Sequence, residues 1–162
     1  STLNAIVRLG VPLGEVFARA TAVIGVEHQM IGTAVVAEVD RGAGAVRYVS
    51  AGHPPLVLVA PDGTVRLLDA VAPVVLGWSA SEATVGEAAF GPGSVLLACT
   101  DGLLESRATG IEAGLERVSA DLAAASSSGR SASEMADRIL AGTGDPADLT
   151  DDVALVTVCH RG

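Results

Sequence analysis

A chain of 162 residues is long enough for one domain with a single core, burying about two thirds of its unfolded surface. Its formal net charge of −9 repels nucleic acid and anionic membrane surfaces, and aromatic residues at 2% leave no stacking platform for single strands. Hydrophobic residues make up 49%, yet the longest uncharged stretch, residues 48–61, is broken by Gly52, Pro54 and Pro55, so no membrane span of about 20 apolar residues fits.

Residues 1–9 read as the end of a helix with Leu3, Ile6, Val7 and Leu9 on one face. Pro12 is tolerated in a first helical turn, and Val16, Phe17, Ala20, Val23 and Ile24 then recur at helical spacing as far as Gly25, a face suited to covering a sheet. From Ile31 the period changes to short β-branched runs, which predict strands over residues 33–39, 45–50, 56–59, 64–68, 85–90 and 95–99. Turn residues at Asp40-Arg41-Gly42, Pro61-Asp62-Gly63 and Gly91-Pro92-Gly93 separate them and predict antiparallel hairpins. Gly42-Ala43-Gly44 belongs to the first of these turns, because no helix follows it as a phosphate loop requires.

Two helices come next. Ile111, Leu115, Val118 and Leu122 form one apolar stripe, and Ser131 with Glu134 has capping-box spacing, opening a second helix that carries Met135 and Ile139. Residues 142–148 read as a loop. Residues 153–159 are apolar on both faces, which predicts a central strand rather than an edge. Strands flanked by pairs of helices make an α+β fold, with antiparallel sheets covered by helices. Cys99 and Cys159 sit inside strand patterns, where a free thiol behaves as a small hydrophobe, and a reducing cytoplasm is the natural compartment.

The chemistry concentrates on two aspartates, each at the end of an apolar, strand-like run: Asp101 in Thr100-Asp101-Gly102, and Asp151, followed by Asp152. A buried strand holds a carboxylate rigidly at its tip, which suits Mg²⁺ or Mn²⁺, ions that take oxygen ligands in near-octahedral geometry. Taken singly, Asp-Gly and Asp-Asp are turn residues. His53, between Gly52 and two prolines, titrates near neutrality and is a candidate proton donor, though pinning a strand-end loop is the simpler role. Arg47 and Arg107 offer forks for phosphate, with solvated surface arginine as the plainer account. His28, His160 and the two cysteines lack zinc spacing. Residues 99–104 have a superficial likeness to the Asp-x-Asp-Gly-Thr-Leu motif of haloacid dehalogenase-type phosphatases, but Cys99 stands where that chemistry needs its aspartate nucleophile.

The order of these pieces is more specific than any one of them. Ala51-Gly52-His53-Pro54, a Pro-Asp-Gly hairpin, Thr100-Asp101-Gly102, two helices and Asp151-Asp152 before a final strand together resemble the metal-dependent, protein phosphatase 2C-like family, in the bacterial branch typified by stage II sporulation protein E and the sigma-regulatory phosphatases. The resemblance implies an antiparallel β-sandwich flanked by helices, in α-β-β-α layers. It also implies hydrolysis of phosphoserine or phosphothreonine by water activated at two Mn²⁺ or Mg²⁺ ions. By position, Asp101 and Asp151 match two metal-binding aspartates, Gly102 the glycine turning tightly beside the ion, and Asp152 an Asp-or-Asn position supporting the site.

One departure bears on activity. The family's earlier Gly-Asp and Asp-x-x-Gly-x-Gly segments have no counterpart in residues 1–162, so the chain is expected to be a single phosphatase-like domain truncated at its N-terminus and a poor catalyst alone. The resemblance implies a cytoplasmic enzyme whose partner is a phosphorylated anti-sigma-factor antagonist, with neither nucleic acid nor membrane bound and with homodimerisation allowed for. The alternative is a catalytically silent phosphatase-like module that binds or senses a partner.

Overall fold

A computed structural model describes residues 2–28, 32–69, 76–77, 82–105, 110–143 and 151–162. In chain order the elements are α1 (Thr2–Arg8), a 3₁₀ turn (Leu13–Glu15), α2 (Val16–His28), β1 (Ala34–Asp40), β2 (Ala45–Ala51), β3 (Leu56–Val59), β4 (Val65–Leu68), β5 (Gly86–Ala89), β6 (Val95–Cys99), a second 3₁₀ turn (Asp101–Leu103), α3 (Ile111–Ser127), α4 (Ala132–Ala141) and β7 (Leu155–Cys159). They form two antiparallel sheets with helices against them, one sheet in each of two units: Ser1–His53 with Asp69–Ala89, and Pro54–Leu68 with Phe90–Gly162. Among the described residues no helix is long and apolar enough to cross a membrane.

In the first unit the sheet order is β1-β2-β5. The β1–β2 hairpin runs in register from Ala34 opposite Ala51 to Asp40 opposite Ala45, and its turn is closed by the Ala43 N–H donating to Asp40 Oδ1 at 2.9 Å. Val16, Phe17 and Ala20 of α2 and Ile6 of α1 are buried with Val49 and Ala51 of β2, the sheet-facing contact that their spacing predicts. The expected stripe of the first helix is only half realised. Ile6 is buried, but Val7 is 37% and Leu9 80% exposed, because α1 is a single short helix ending at Arg8 and Leu9 falls beyond it. Val23 is likewise 53% exposed, and the side chain of Ile24 lies outside the described part. Arg47 stands opposite Glu38 in the ladder, with Nη1 3.6 Å from Oε2, and so is engaged on the sheet surface.

In the second unit the order is β4-β3-β6-β7. Alternate residues Val57 and Val59 of β3 and Val95, Leu97 and Cys99 of β6 share one core with Val118, Leu122 and Ala125 of α3 and Met135 and Ile139 of α4. Each fully buried aliphatic side chain of this kind contributes about 1.5–3 kcal/mol. The capping box forms in full: Glu134 N–H donates to Ser131 Oγ at 3.3 Å, and Ser131 N–H to Glu134 Oε2 at 2.8 Å. Ile111, the first residue of the predicted stripe, is 44% exposed at the helix start. In the Pro61-Asp62-Gly63 hairpin, Asp62 Oδ1 accepts from Thr64 N–H at 2.9 Å, and this hydrogen bond holds the Asp62 carboxyl below its usual range.

Two expectations are corrected here. Gly91-Pro92-Gly93 is not a hairpin: β5 pairs with β2, whereas β6 pairs with β3 and β7, so the chain changes sheet at this turn. The last strand is an edge and not a central strand. Its residues alternate, with Leu155 and Cys159 packing on the core beneath and Val156 and Val158 62% and 36% exposed on the other face. Apolar composition on both faces had stood for two flanking strands, where only one is present among the described residues. Of the loop predicted at residues 142–148, residues 144–148 lie outside the described part, as does Arg107.

Candidate metal centre

The second unit brings the two aspartate segments together through its last strand pair. β6 and β7 run antiparallel with Cys99 opposite Leu155, so the residue after β6 and the residue before β7 leave the sheet side by side. Thr100 extends the ladder by one step, its N–H donating to the Ala154 carbonyl at 3.0 Å. Its hydroxyl then donates to the Asp152 carbonyl at 2.9 Å and accepts from the Ala154 N–H at 2.9 Å. One threonine thus fastens the strand carrying Asp101 to the backbone that follows Asp151.

Gly102 makes the approach possible. A Cβ there would stand 2.5 Å from the Asp152 oxygen and 2.8 Å from the Asp151 oxygen, both backbone atoms that have nowhere to go. Asp101 opens the 3₁₀ turn and its Oδ1 accepts from Gly102 N–H at 3.0 Å; Asp151 Oδ1 accepts in the same way from Asp152 N–H at 2.7 Å. Each carboxylate is therefore oriented by the peptide immediately after it. Both side chains belong to exposed residues, whereas Gly102, Leu103 and Leu104 are buried and anchor the turn in the core.

The underside of the turn is held by α3. Leu104 N–H and Glu105 N–H both donate to the Asp101 carbonyl at 2.8 Å. Gly114 lies so close to the Leu104 carbonyl that a Cβ would overlap it, and Arg117 Nη2 donates to the Leu103 carbonyl at 2.8 Å. Neither residue is singled out by the sequence reading above. The one sequence signal was Gly114 itself, since a glycine inside a helix costs about 1 kcal/mol against alanine and needs a reason. Cys99, at the end of β6, is a buried thiol pushed up to about 11 by desolvation, with the Arg117 charge pulling it down and the Asp101 charge raising it.

The Asp101–Gly102 turn is thus brought against the Asp151–Asp152 backbone. His53 is in the first unit, where its carbonyl accepts from Ser50 Oγ at 3.3 Å at the end of β2. His160 is buried in the second, edge-on to Phe90 with ring centroids 5.8 Å apart. Among the described residues no group of three or more His, Cys, Asp or Glu side chains gathers. The donor type of Asp101 and Asp151, carboxylate oxygen held by backbone, fits a hard divalent cation, and the cradle at Gly102 leaves the space beside it to backbone and not to a side chain.

Comparison with known proteins agrees with this fold. The family model for stage II sporulation protein E (SpoIIE) matches residues 1–161. Similar solved structures include the RsbU and RsbW domains of a Mycobacterium tuberculosis protein, 25% identical with a TM-score of 0.84, over 99% of this chain and 45% of that one. The phosphatase domain of SpoIIE from Bacillus subtilis is 14% identical with a TM-score of 0.65, over 99% of this chain and 72% of that one. The SiaA PP2C domain of Pseudomonas aeruginosa is 16% identical with a TM-score of 0.78, over 98% and 65%. The chain therefore spans less than half of the first of these proteins, and the latter two likenesses speak for the fold. Two antiparallel sheets flanked by helices, closing on a Thr-Asp-Gly turn beside an Asp-Asp turn, and matched from end to end by one family model, place this chain in the stage II sporulation protein E family, among proteins with the PP2C-type phosphatase fold.

Proposed function

We propose that this chain is the catalytic portion of a protein serine/threonine phosphatase, with Asp101 and Asp151 as ligands for Mn²⁺ or Mg²⁺, Gly102 as the turn that admits the ion, and Asp152 as a supporting group. The observation that carries the reading is the junction of the two aspartate turns, where Thr100 is bonded to both strands and Gly102 packs on the Asp151–Asp152 backbone. Similar structures, a SpoIIE phosphatase domain presoaked with Mn and RsbX in complex with magnesium, support the choice of ions. When bound, two such ions activate water for in-line attack on phosphorus and offset the charge of the phosphoryl group. What the chain itself contributes is orientation: the peptide N–H groups of Gly102 and Asp152 hold one oxygen of each carboxylate, so that the other oxygen is presented in a fixed direction.

The substrate proposed is a phosphorylated anti-sigma-factor antagonist, in keeping with the RsbU and RsbW domains and the stressosome protein among the similar structures. The proposed setting is cytoplasmic, with a homodimer allowed for and His53 assigned to loop structure and not to proton transfer. Two carboxylates hold one dication weakly, and a binuclear centre needs more, so turnover by this chain alone is expected to be slow. Mn²⁺-dependent hydrolysis of a phosphoserine protein, compared between this chain, its Asp101→Ala variant and a complete PP2C-type domain, tests the proposal. Weak activity abolished by Asp101→Ala supports it; activity indifferent to that change removes it. The rival reading, a phosphatase-like module that binds a partner without turnover, predicts tight binding of the phosphoprotein with no Mn²⁺ dependence at all.

A further inference from the structure

We infer that Arg117 is a positioning residue for the Asp101 turn: from α3 its guanidinium grips the Leu103 carbonyl and so fixes the direction in which Asp101 presents its carboxylate. The turn is a single 3₁₀ element, Asp101–Leu103, and such turns have poor hydrogen-bond geometry and little hold on their own conformation. Its local bonds are Leu103 N–H to the Thr100 carbonyl at 3.1 Å, Leu104 N–H and Glu105 N–H to the Asp101 carbonyl, both at 2.8 Å, and Gly102 N–H to Asp101 Oδ1 at 3.0 Å. Everything else that holds it comes from outside: Gly102 on the β7 side, Gly114 and Arg117 on the α3 side.

Arg117 is an expensive choice for that place. Its Nη2 makes a 2.8 Å bond to Leu103, but Nη1 is buried with no hydrogen-bond partner among the described residues. Arg117 as a residue is only half-buried, beside the fully buried apolar Val118 and Leu122 of the same helix, which pack without any such cost. A buried donor left without a partner opposes folding, more so when charged. Packing alone therefore favours an aliphatic residue, and the guanidinium is accounted for by the carbonyl it holds.

The inference rests on the metal-site reading only for its functional consequence. It is tested on the full chain by hydrogen–deuterium exchange of the Leu103, Leu104 and Glu105 amides, alongside an Mn²⁺ titration followed by water-proton relaxation. Arg117→Met is expected to speed exchange at these three amides roughly tenfold or more, as loss of a charged hydrogen bond should, while the β6 and β7 amides keep their protection. Arg117→Lys, which keeps a charged donor of similar reach, is expected to recover most of the protection, and Mn²⁺ affinity is expected to fall and recover in step. Unchanged exchange in folded Arg117→Met overturns the grip. Faster exchange with unaltered Mn²⁺ affinity overturns the positioning role. Should Arg117→Met not fold, Arg117→Gln, too short to reach the carbonyl, is read in its place. A wild-type chain with no Mn²⁺ response would remove the metal-site reading, and the exchange arm would still decide whether Arg117 holds the turn.

Discussion

Gly102 rests directly on the peptide joining Asp151 to Asp152, at a distance that leaves no room for a methyl group. Residues far apart in sequence meet there, backbone to backbone, and the position tolerates one residue type for a steric reason that does not depend on any ligand.

Gly102→Ala is therefore expected to destabilise the chain by about 1–3 kcal/mol, the ordinary cost of overpacking against atoms that cannot rotate away. Urea denaturation measures this directly. Mn²⁺ affinity is expected to fall in the same variant, because relief of the clash separates Asp101 from Asp151.

Asp101→Asn and Asp151→Asn separate the two roles that the aspartates share. Both belong to exposed residues, so stability is expected to stay within about 0.5 kcal/mol of wild type. Mn²⁺ affinity, in contrast, is expected to drop at least about tenfold in each, with Asp152→Asn changing it less. Isothermal titration on the three variants checks the ranking, and equal effects at all three positions would contradict it.

Gly114→Ala sets two terms against each other. Alanine raises helix propensity by about 1 kcal/mol, but its methyl group overlaps the Leu104 carbonyl, and a backbone oxygen in a buried turn cannot yield cheaply. The steric term wins, with an expected net loss of about 2 kcal/mol by chemical denaturation and faster amide exchange at Leu104 and Glu105.

Ser131→Ala removes the N-cap of α4 and is expected to cost about 1 kcal/mol at neutral pH. Its dependence on pH has a defined sign. The hydrogen bonds from Ser131 depress the Glu134 pKa, so Glu134's contribution is complete above the ordinary glutamate range and is lost as pH falls through the lower folded value. The stability gap between wild type and Ser131→Ala should accordingly narrow in acid, which thermal melts from pH 3 to pH 7 would show.

Much of the architecture is legible in local chemistry. The Pro61-Asp62-Gly63 hairpin, the Ser131–Glu134 capping box and the alternation of Val57 with Val59 each follow from residues within a few positions of one another. What escapes is what depends on a distant partner. Gly91-Pro92-Gly93 has turn composition, but turn composition does not say which sheet the next strand joins. Residues 155–159 have the apolarity of a central strand, but neighbours and not composition decide an edge. Asp101 and Asp151 stand out in the sequence because each adjoins an apolar, strand-like run. Arg117 does not, because an arginine in a helix looks the same whether it faces water or a carbonyl fourteen residues back.

β7 carries one further implication. Among the described residues β7 is outermost in its sheet, and a strand in that place offers a row of unsatisfied peptide groups; this one presents Val156 and Val158 alongside them without a lysine or a proline to deter company. Such a margin behaves as an adhesive strip. Concentrated solutions of the chain should self-associate through it, and a charge introduced at Val158, toward the end of the strand away from the aspartate turns, should keep the molecules apart.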